Sequence, residues 1–187
     1  MQRFRLGSIV LPILIAALAP TAFAQTDLAV SPFVALPTST TSTVAGLGLT
    51  LAGTPDFALR ATGRVALKNT YTGAFGAGTW MPAWGGDVDA VAALSGRPFG
   101  SHNRTGSTFV FIGVGAAARD TADARLIGKS WSYGVGTMLP LGSVVDLFAE
   151  SRWRMSRFVL PTAKPKPSRT KEIRFGMSFH VHGNGRS

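Results

Sequence analysis

The 187-residue chain contains no cysteine. That excludes a disulfide framework, so a small domain must draw its stability from a packed core or from a bilayer. Acidic residues are few, 9 against 19 Lys and Arg. A surplus of that sign suggests nucleic acid or an anionic surface as partner. Beyond the N-terminal segment there is no long apolar run, so no transmembrane helix is expected. A G-x-x-x-x-G-K-[ST] phosphate loop is missing too. The Gly-rich stretch VAGLGLTL lacks the strand–loop–helix setting of a nucleotide site.

What is present begins at the N-terminus. Arg3 and Arg5 precede an apolar run from Ile9 to Ala19, then Pro20 and the triplet Ala22-Phe23-Ala24. This is the pattern of a secretory signal peptide over residues 1–24, with the mature chain starting at Gln25 and residues 25–187 forming one domain. Without Arg3 and Arg5 the count falls from 19 basic residues to 17, still against 9 acidic. An exported chain rarely meets nucleic acid, which leaves an anionic membrane surface as the expected partner.

The rest alternates with period two. Eight strands are expected: Asp27–Leu36, Thr43–Ala52, Phe57–Lys68, Gly86–Gly96, Ser107–Ala118, Lys129–Leu139, Ser143–Met155 and Lys171–His182. Most have the length of about 9–11 residues that a tilted strand needs to cross a bilayer. The links alternate. Gly53-Thr54-Pro55-Asp56 and the stretch around Pro140–Gly142 are short, and Arg97–Gly106 is intermediate. Pro37–Ser42, Asn69–Trp84, Arg119–Gly128 and Ser156–Thr170 are longer. Short turns on the periplasmic side and longer loops outside are the habit of outer-membrane barrels, and an even strand count returns both termini to the periplasm.

With its signal peptide, eight amphipathic strands and Phe-rich final strand EIRFGMSFHV, the chain resembles the small OmpA/OmpX-like outer-membrane β-barrels over Asp27–His182. The resemblance implies an all-β, eight-stranded antiparallel up-and-down transmembrane barrel in a bacterial outer membrane. It also implies the barrel-assembly machinery as a partner during biogenesis, reading a terminal aromatic residue. Here Phe179 is followed by HVHGNGRS, a departure from the family's aromatic terminus.

Alternation sorts side chains onto two faces. The polar face is expected to hold Arg60, Thr62, Arg64 and Lys68, then Asp87 and Asp89, then Asp146, Glu150, Arg152 and Arg154, then Glu172 and Arg174. Lys68 and Arg64 are expected near Asp87 and Asp89, Arg152 and Arg154 near Glu172, and Glu150 near Arg174. Buried charges need partners, so a closed lumen of ion pairs fits this near balance. Gly46, Gly48, Gly113, Gly115, Gly134 and Gly136 share the inward parity and suit a narrow eight-stranded interior. Phe109 and Phe111 also point inward, against the polar rule, and Pro32 removes a ladder hydrogen bond. The outward face is apolar. Trp84, Trp131 and Trp153 map to one end of it and Phe57 and Phe179 to the other, as two aromatic girdles would.

Chemistry is less legible. His180 and His182 share a strand face, but no complete metal shell can be named. Ser178 and His180 lie beside Asp146 and Glu150, yet an i, i+2 spacing of about 7 Å is poor for nucleophile–base contact. Asp87 and Asp89 are expected to pair with arginines rather than to act as acid and base. No catalytic residue, metal or cofactor is assigned. The segment RFVLPTAKPKPSRTKE presents Arg157, Lys164, Lys166, Arg169 and Lys171 as a basic loop that would lie against lipopolysaccharide phosphates. The expected role is structural or interactive, in envelope integrity or adhesion, with an extracellular surface partner and no open pore. Two alternatives are a lipid-modifying enzyme on the same barrel and a soluble, lipocalin-like periplasmic binder of an apolar ligand.

Overall fold

The computed structural model describes residues 27–38, 43–66, 70–73, 76–79, 84–99, 105–120, 125–158 and 167–181. The segment expected to be a signal peptide lies outside them, as do Lys68, His182, Lys164 and Lys166. The strands are β1 (Asp27–Pro37), β2 (Val44–Thr54), β3 (Phe57–Ala66), β4 (Thr70–Gly73), β5 (Gly76–Thr79), β6 (Trp84–Ser95), β7 (Ser107–Asp120), β8 (Arg125–Pro140), β9 (Val145–Phe158) and β10 (Pro167–Val181). Eight of them close into one antiparallel barrel in the order β1-β10-β9-β8-β7-β6-β3-β2, and β4 and β5 form a separate hairpin between β3 and β6. Closure leaves the barrel itself without a free edge strand.

The eight barrel strands are those that alternation predicts, with different ends. The link Asn69–Trp84, expected as a loop, contains β4 and β5, and Trp84 belongs to β6. The link Arg119–Gly128 shrinks to residues 121–124, because the β7–β8 ladder runs on to the pair Asp120 and Arg125. It is thus shorter than the Gly96–Gly106 link at the opposite end. Likewise β9 reaches Phe158 and β10 begins at Pro167. Arg157, Arg169 and Lys171 therefore stand on strands, not in a loop. Strands β7 to β10 have 14 to 16 residues against 10 or 11 in β1 to β3. The wall is taller on that side, since a continuing ladder satisfies backbone polar groups however polar the side chains become.

The seam that closes the barrel is β1 against β10. Its register holds at Val30↔Phe179 and Phe33↔Gly176, and the ladder skips Ser31 and Pro32 between them. Proline has no N–H to give there. Inside the seam, Ser31 Oγ and Ser178 Oγ share a hydrogen bond of 2.8 Å that spans the interruption.

Burial is inverted relative to a soluble protein. Arg152 is 0% exposed and Ile112 is 63% exposed. Val34, Leu47, Leu49, Val88, Val114 and Phe175 are likewise exposed on the outer face.

Candidate functional site

The lumen has three layers. The uppermost, toward the ends away from the termini, is ionic. Arg60, Arg64, Arg152, Arg154 and Arg174 meet Asp87, Asp89, Glu150 and Glu172 there, nearly all of them buried. Arg152 holds Asp89 through both of its terminal nitrogens, Nη1 to Oδ1 at 3.0 Å and Nη2 to Oδ2 at 2.5 Å, and also donates to Ser132 Oγ at 2.9 Å. Arg60 joins Asp89 at 3.1 Å to Glu150 at 2.8 Å. Arg154 donates to Glu172 and, at 2.5 Å, to Asp87. Arg174 bridges Glu172 at 3.0 Å and Glu150 at 3.3 Å. Arg64 lies at 3.4 Å from Glu172 and 3.7 Å from Asp87.

Arg64 with Asp87, Arg154 with Glu172 and Arg174 with Glu150 are pairs the hairpins suggest, whereas Asp89 and Arg152 find other partners. The register sets Arg60, not Arg64, opposite Asp89. Arg152 sits opposite Glu172 on β10. Its guanidinium nevertheless crosses the lumen to Asp89 on β6, because the side chain is long enough to span a narrow barrel. Asp146 stands apart from this layer. It lies at the start of β9, at the termini end, where it meets His180.

The middle layer is aromatic, and the glycines explain it. Phe33 faces Gly46 across β1 and β2, Phe109 faces Gly136 and Phe111 faces Gly134 across β7 and β8, and Phe148 faces Gly176 across β9 and β10. A Cβ on any of these four glycines would run into the facing ring. The same pairing serves the carboxylates, for Asp89 faces Gly113 and Asp87 faces Gly115. Each bulky inward side chain thus lies over a missing one on the next strand, and Phe109 and Phe111 fit inside for that reason. The rings also support the ionic layer. Arg152 stacks over Phe111 at 4.3 Å and Arg174 over Phe33 at 4.6 Å from the ring centroid. Such contacts suit guanidinium, which is planar and weakly hydrated.

The lowest layer closes the termini end. His180 Nδ1 lies 2.8 Å from Asp27 Oδ2 and its Nε2 lies 2.6 Å from Asp146 Oδ2. This links β10 to both of its neighbours. With both ring nitrogens engaged, neither is left to activate Ser178, whose hydroxyl is bonded to Ser31. Beside them the β6–β7 link turns inward. Pro98 is buried, and Phe99 packs with Ala52, Ala58, Val91, Phe109 and Phe111, corking the lumen. The link leaves β6 through Gly96, whose φ of 71° suits glycine. Sequence reasoning missed this cork. Its signal is the pair Pro98-Phe99 within an otherwise polar link. The voids beside it measure about 20 and 10 Å³, room for about one water each.

On the outer face, Trp131, Tyr133 and Trp153 form one stack, with centroids 5.6 and 5.7 Å apart. Trp84 is exposed at the same end, and Phe57 and Phe179 are exposed at the termini end. Tyr133 is the member of this stack that the expected girdle omits.

Among solved structures the chain is similar to the N-terminal β-barrel domain of Pseudomonas aeruginosa OprF, with TM-score 0.59 and 12% identity over 84% of this chain and 98% of that one. It also aligns with a major outer membrane protein from Thermus thermophilus (TM-score 0.49, 11% identity, 83% and 99% covered). A third is Neisserial surface protein A (TM-score 0.47, 11% identity, 84% and 96% covered). No protein-family model matches the chain, and neither does any curated protein. At such identities a likeness speaks to fold, and of these three the OprF superposition is close enough to carry that argument. The closed antiparallel barrel and that superposition together give the chain the eight-stranded, OmpA/OmpX-like fold of outer-membrane barrel proteins.

Proposed function

We propose that this chain is an integral outer-membrane barrel with a sealed, ion-paired lumen, serving envelope integrity and surface contact rather than transport or catalysis. The observation that carries the reading is the inverted burial, with charges inside and Leu, Ile, Val and Phe outside. In water that exterior would be a very large apolar patch, whereas in hydrocarbon it is the favoured surface. A lipocalin-like binder needs the reverse arrangement, an apolar cavity within. A lipid-modifying enzyme needs a nucleophile in contact with its base, and Ser178 and His180 do not supply one.

Under this reading residues 1–24 direct export. The termini and the 53–56 and 141–144 turns lie in the periplasm, and the opposite end faces outward. Phe179 on β10 then supplies the aromatic signal to the barrel-assembly machinery. The girdles Trp84, Trp131 and Trp153 above and Phe57 and Phe179 below sit at the two interfaces. The test is to wash outer membranes with carbonate and compare boiled with unboiled samples on an SDS gel. The expected result is a band that resists extraction and shifts on boiling. Recovery in the soluble fraction without a shift would overturn the reading. In planar bilayers the purified barrel should show no steady conductance.

A further inference from the structure

Among the residues whose side chains are described, the cations on the outer wall of the barrel lie in one sector. On β8 the outward column runs, toward the middle of the wall, Ile127, Lys129, Trp131, Tyr133. On β9 it reads Arg157, Met155, Trp153, and on β10 Arg169, Lys171, Ile173. The outward positions with described side chains on the upper parts of β1, β2, β3, β6 and β7 include Val34, Leu36, Ala45, Val65, Trp84, Val114 and Ala116, none of them charged.

The register makes the sector tighter. Lys129 sits directly opposite Arg157, and Arg169 opposite Met155, two residue pairs below. Like charges directly opposite across strands repel. Among the described residues no carboxylate forms an ion pair with Lys129, Arg157 or Arg169, whereas every lumen arginine has one. A groove of about 510 Å³ lies between these cations and is floored by Trp131 and Met155. It is cationic at the outer end and apolar below.

We propose that this face of β8, β9 and β10 binds a phosphorylated glycolipid of the outer leaflet. Its headgroup phosphates engage Lys129, Arg157 and Arg169, and an acyl chain lies along Met155 and Trp131. The assignment rests on the outer-membrane reading above, which sets the aromatic stack at headgroup depth. Phosphate suits the site because arginine offers it paired N–H donors and lysine a compact charge. The apolar floor favours a lipid, since a free anion would gain only the three cations and not the contact with Trp131 and Met155.

The test uses the full chain inserted into phosphatidylcholine vesicles doped with bis-phosphorylated lipid A or with the same lipid dephosphorylated. Lipid retained by the purified barrel is then counted by native mass spectrometry. The wild type should retain the phosphorylated lipid about tenfold better, and Lys129→Ser/Arg157→Ser/Arg169→Ser should lose that preference. Arg97→Ser, an exposed cation at the opposite end, should keep it. If the triple variant fails to fold, the single Arg157→Gln should still show a partial loss. Equal retention by wild type and variant, or full displacement by millimolar inorganic phosphate, would overturn the site. A chain that never enters vesicles would overturn the membrane reading and the site with it. One that inserts and does not discriminate would overturn the site alone.

Discussion

The barrel handles its cations in two ways. Inside, five guanidiniums meet four carboxylates in one connected network. Outside, Lys129, Arg157, Arg169 and Lys171 stand on the upper wall of β8 to β10 with no ion-paired carboxylate among the described residues. The difference follows from what surrounds each charge. A lumen sealed by rings and by Phe99 has little water, so each charge needs a fixed counter-charge. At the upper wall water and headgroups take that role. Pairing there would contribute little, since exposed ion pairs are worth about 0–1 kcal/mol.

The sharpest way to break this comparison is Arg152→Leu. It removes both bonds to Asp89, which keeps only Arg60, and the contact with Glu150. Breaking a buried pair from one side costs about 3–5 kcal/mol. Urea unfolding in vesicles, followed by tryptophan fluorescence, should show the midpoint fall accordingly, with Arg154→Leu close behind. A shift below about 1 kcal/mol would mean that water screens the lumen as it does a surface.

A second test moves a cation to where neither solution is at hand. Ile112→Arg sets a guanidinium on the outer face at mid-strand, where the cost is about 2–4 kcal/mol if hydrocarbon surrounds it. Ala116→Arg, two outward positions higher on β7, should cost about 0–1 kcal/mol. Equal effects from the two variants would argue against a bilayer around this wall.

The third test concerns the layer that separates the network from the termini end. Gly136→Val drives a side chain into the Phe109 ring. Overpacking of this kind costs about 1–3 kcal/mol. Adding Phe109→Ala should recover part of the loss, since residues in contact couple in a double-mutant cycle. Strictly additive losses would show that the glycine is not making room for the ring.

These residues also show what a sequence can and cannot disclose. Alternation carries sidedness, and an even set of strands of membrane-spanning length carries the barrel. Strand ends are another matter. Arg157, Arg169 and Lys171 look like loop residues because they are charged, but a ladder continues wherever backbone partners continue. Partner choice is harder still. Arg152 and Glu172 are register neighbours, yet the guanidinium reaches across the lumen to another strand. Nearest-neighbour reasoning fails once a side chain is as long as the barrel is wide. Asp27 and His180 are far apart in sequence and meet only because the seam closes. The glycine–phenylalanine pairs lay in plain view, since GVG of β8 runs antiparallel to FVF of β7. Reading them required the register, which a two-residue period leaves open.

The smallest expected effect belongs to Lys171. Its Nζ lies 5.2 Å from the Trp153 ring centroid, so an aromatic face takes the place that a carboxylate holds in the lumen. At an exposed site such a contact is worth about 0.5–1 kcal/mol. Lys171→Ala should therefore lower stability only by that amount and should shift Trp153 emission, while Lys171→Arg preserves both. A loss of more than about 2 kcal/mol would mean that this cation is desolvated. The upper wall would then obey the rule of the lumen, and the contrast between the two sets of cations would be one of partner chemistry instead of solvent.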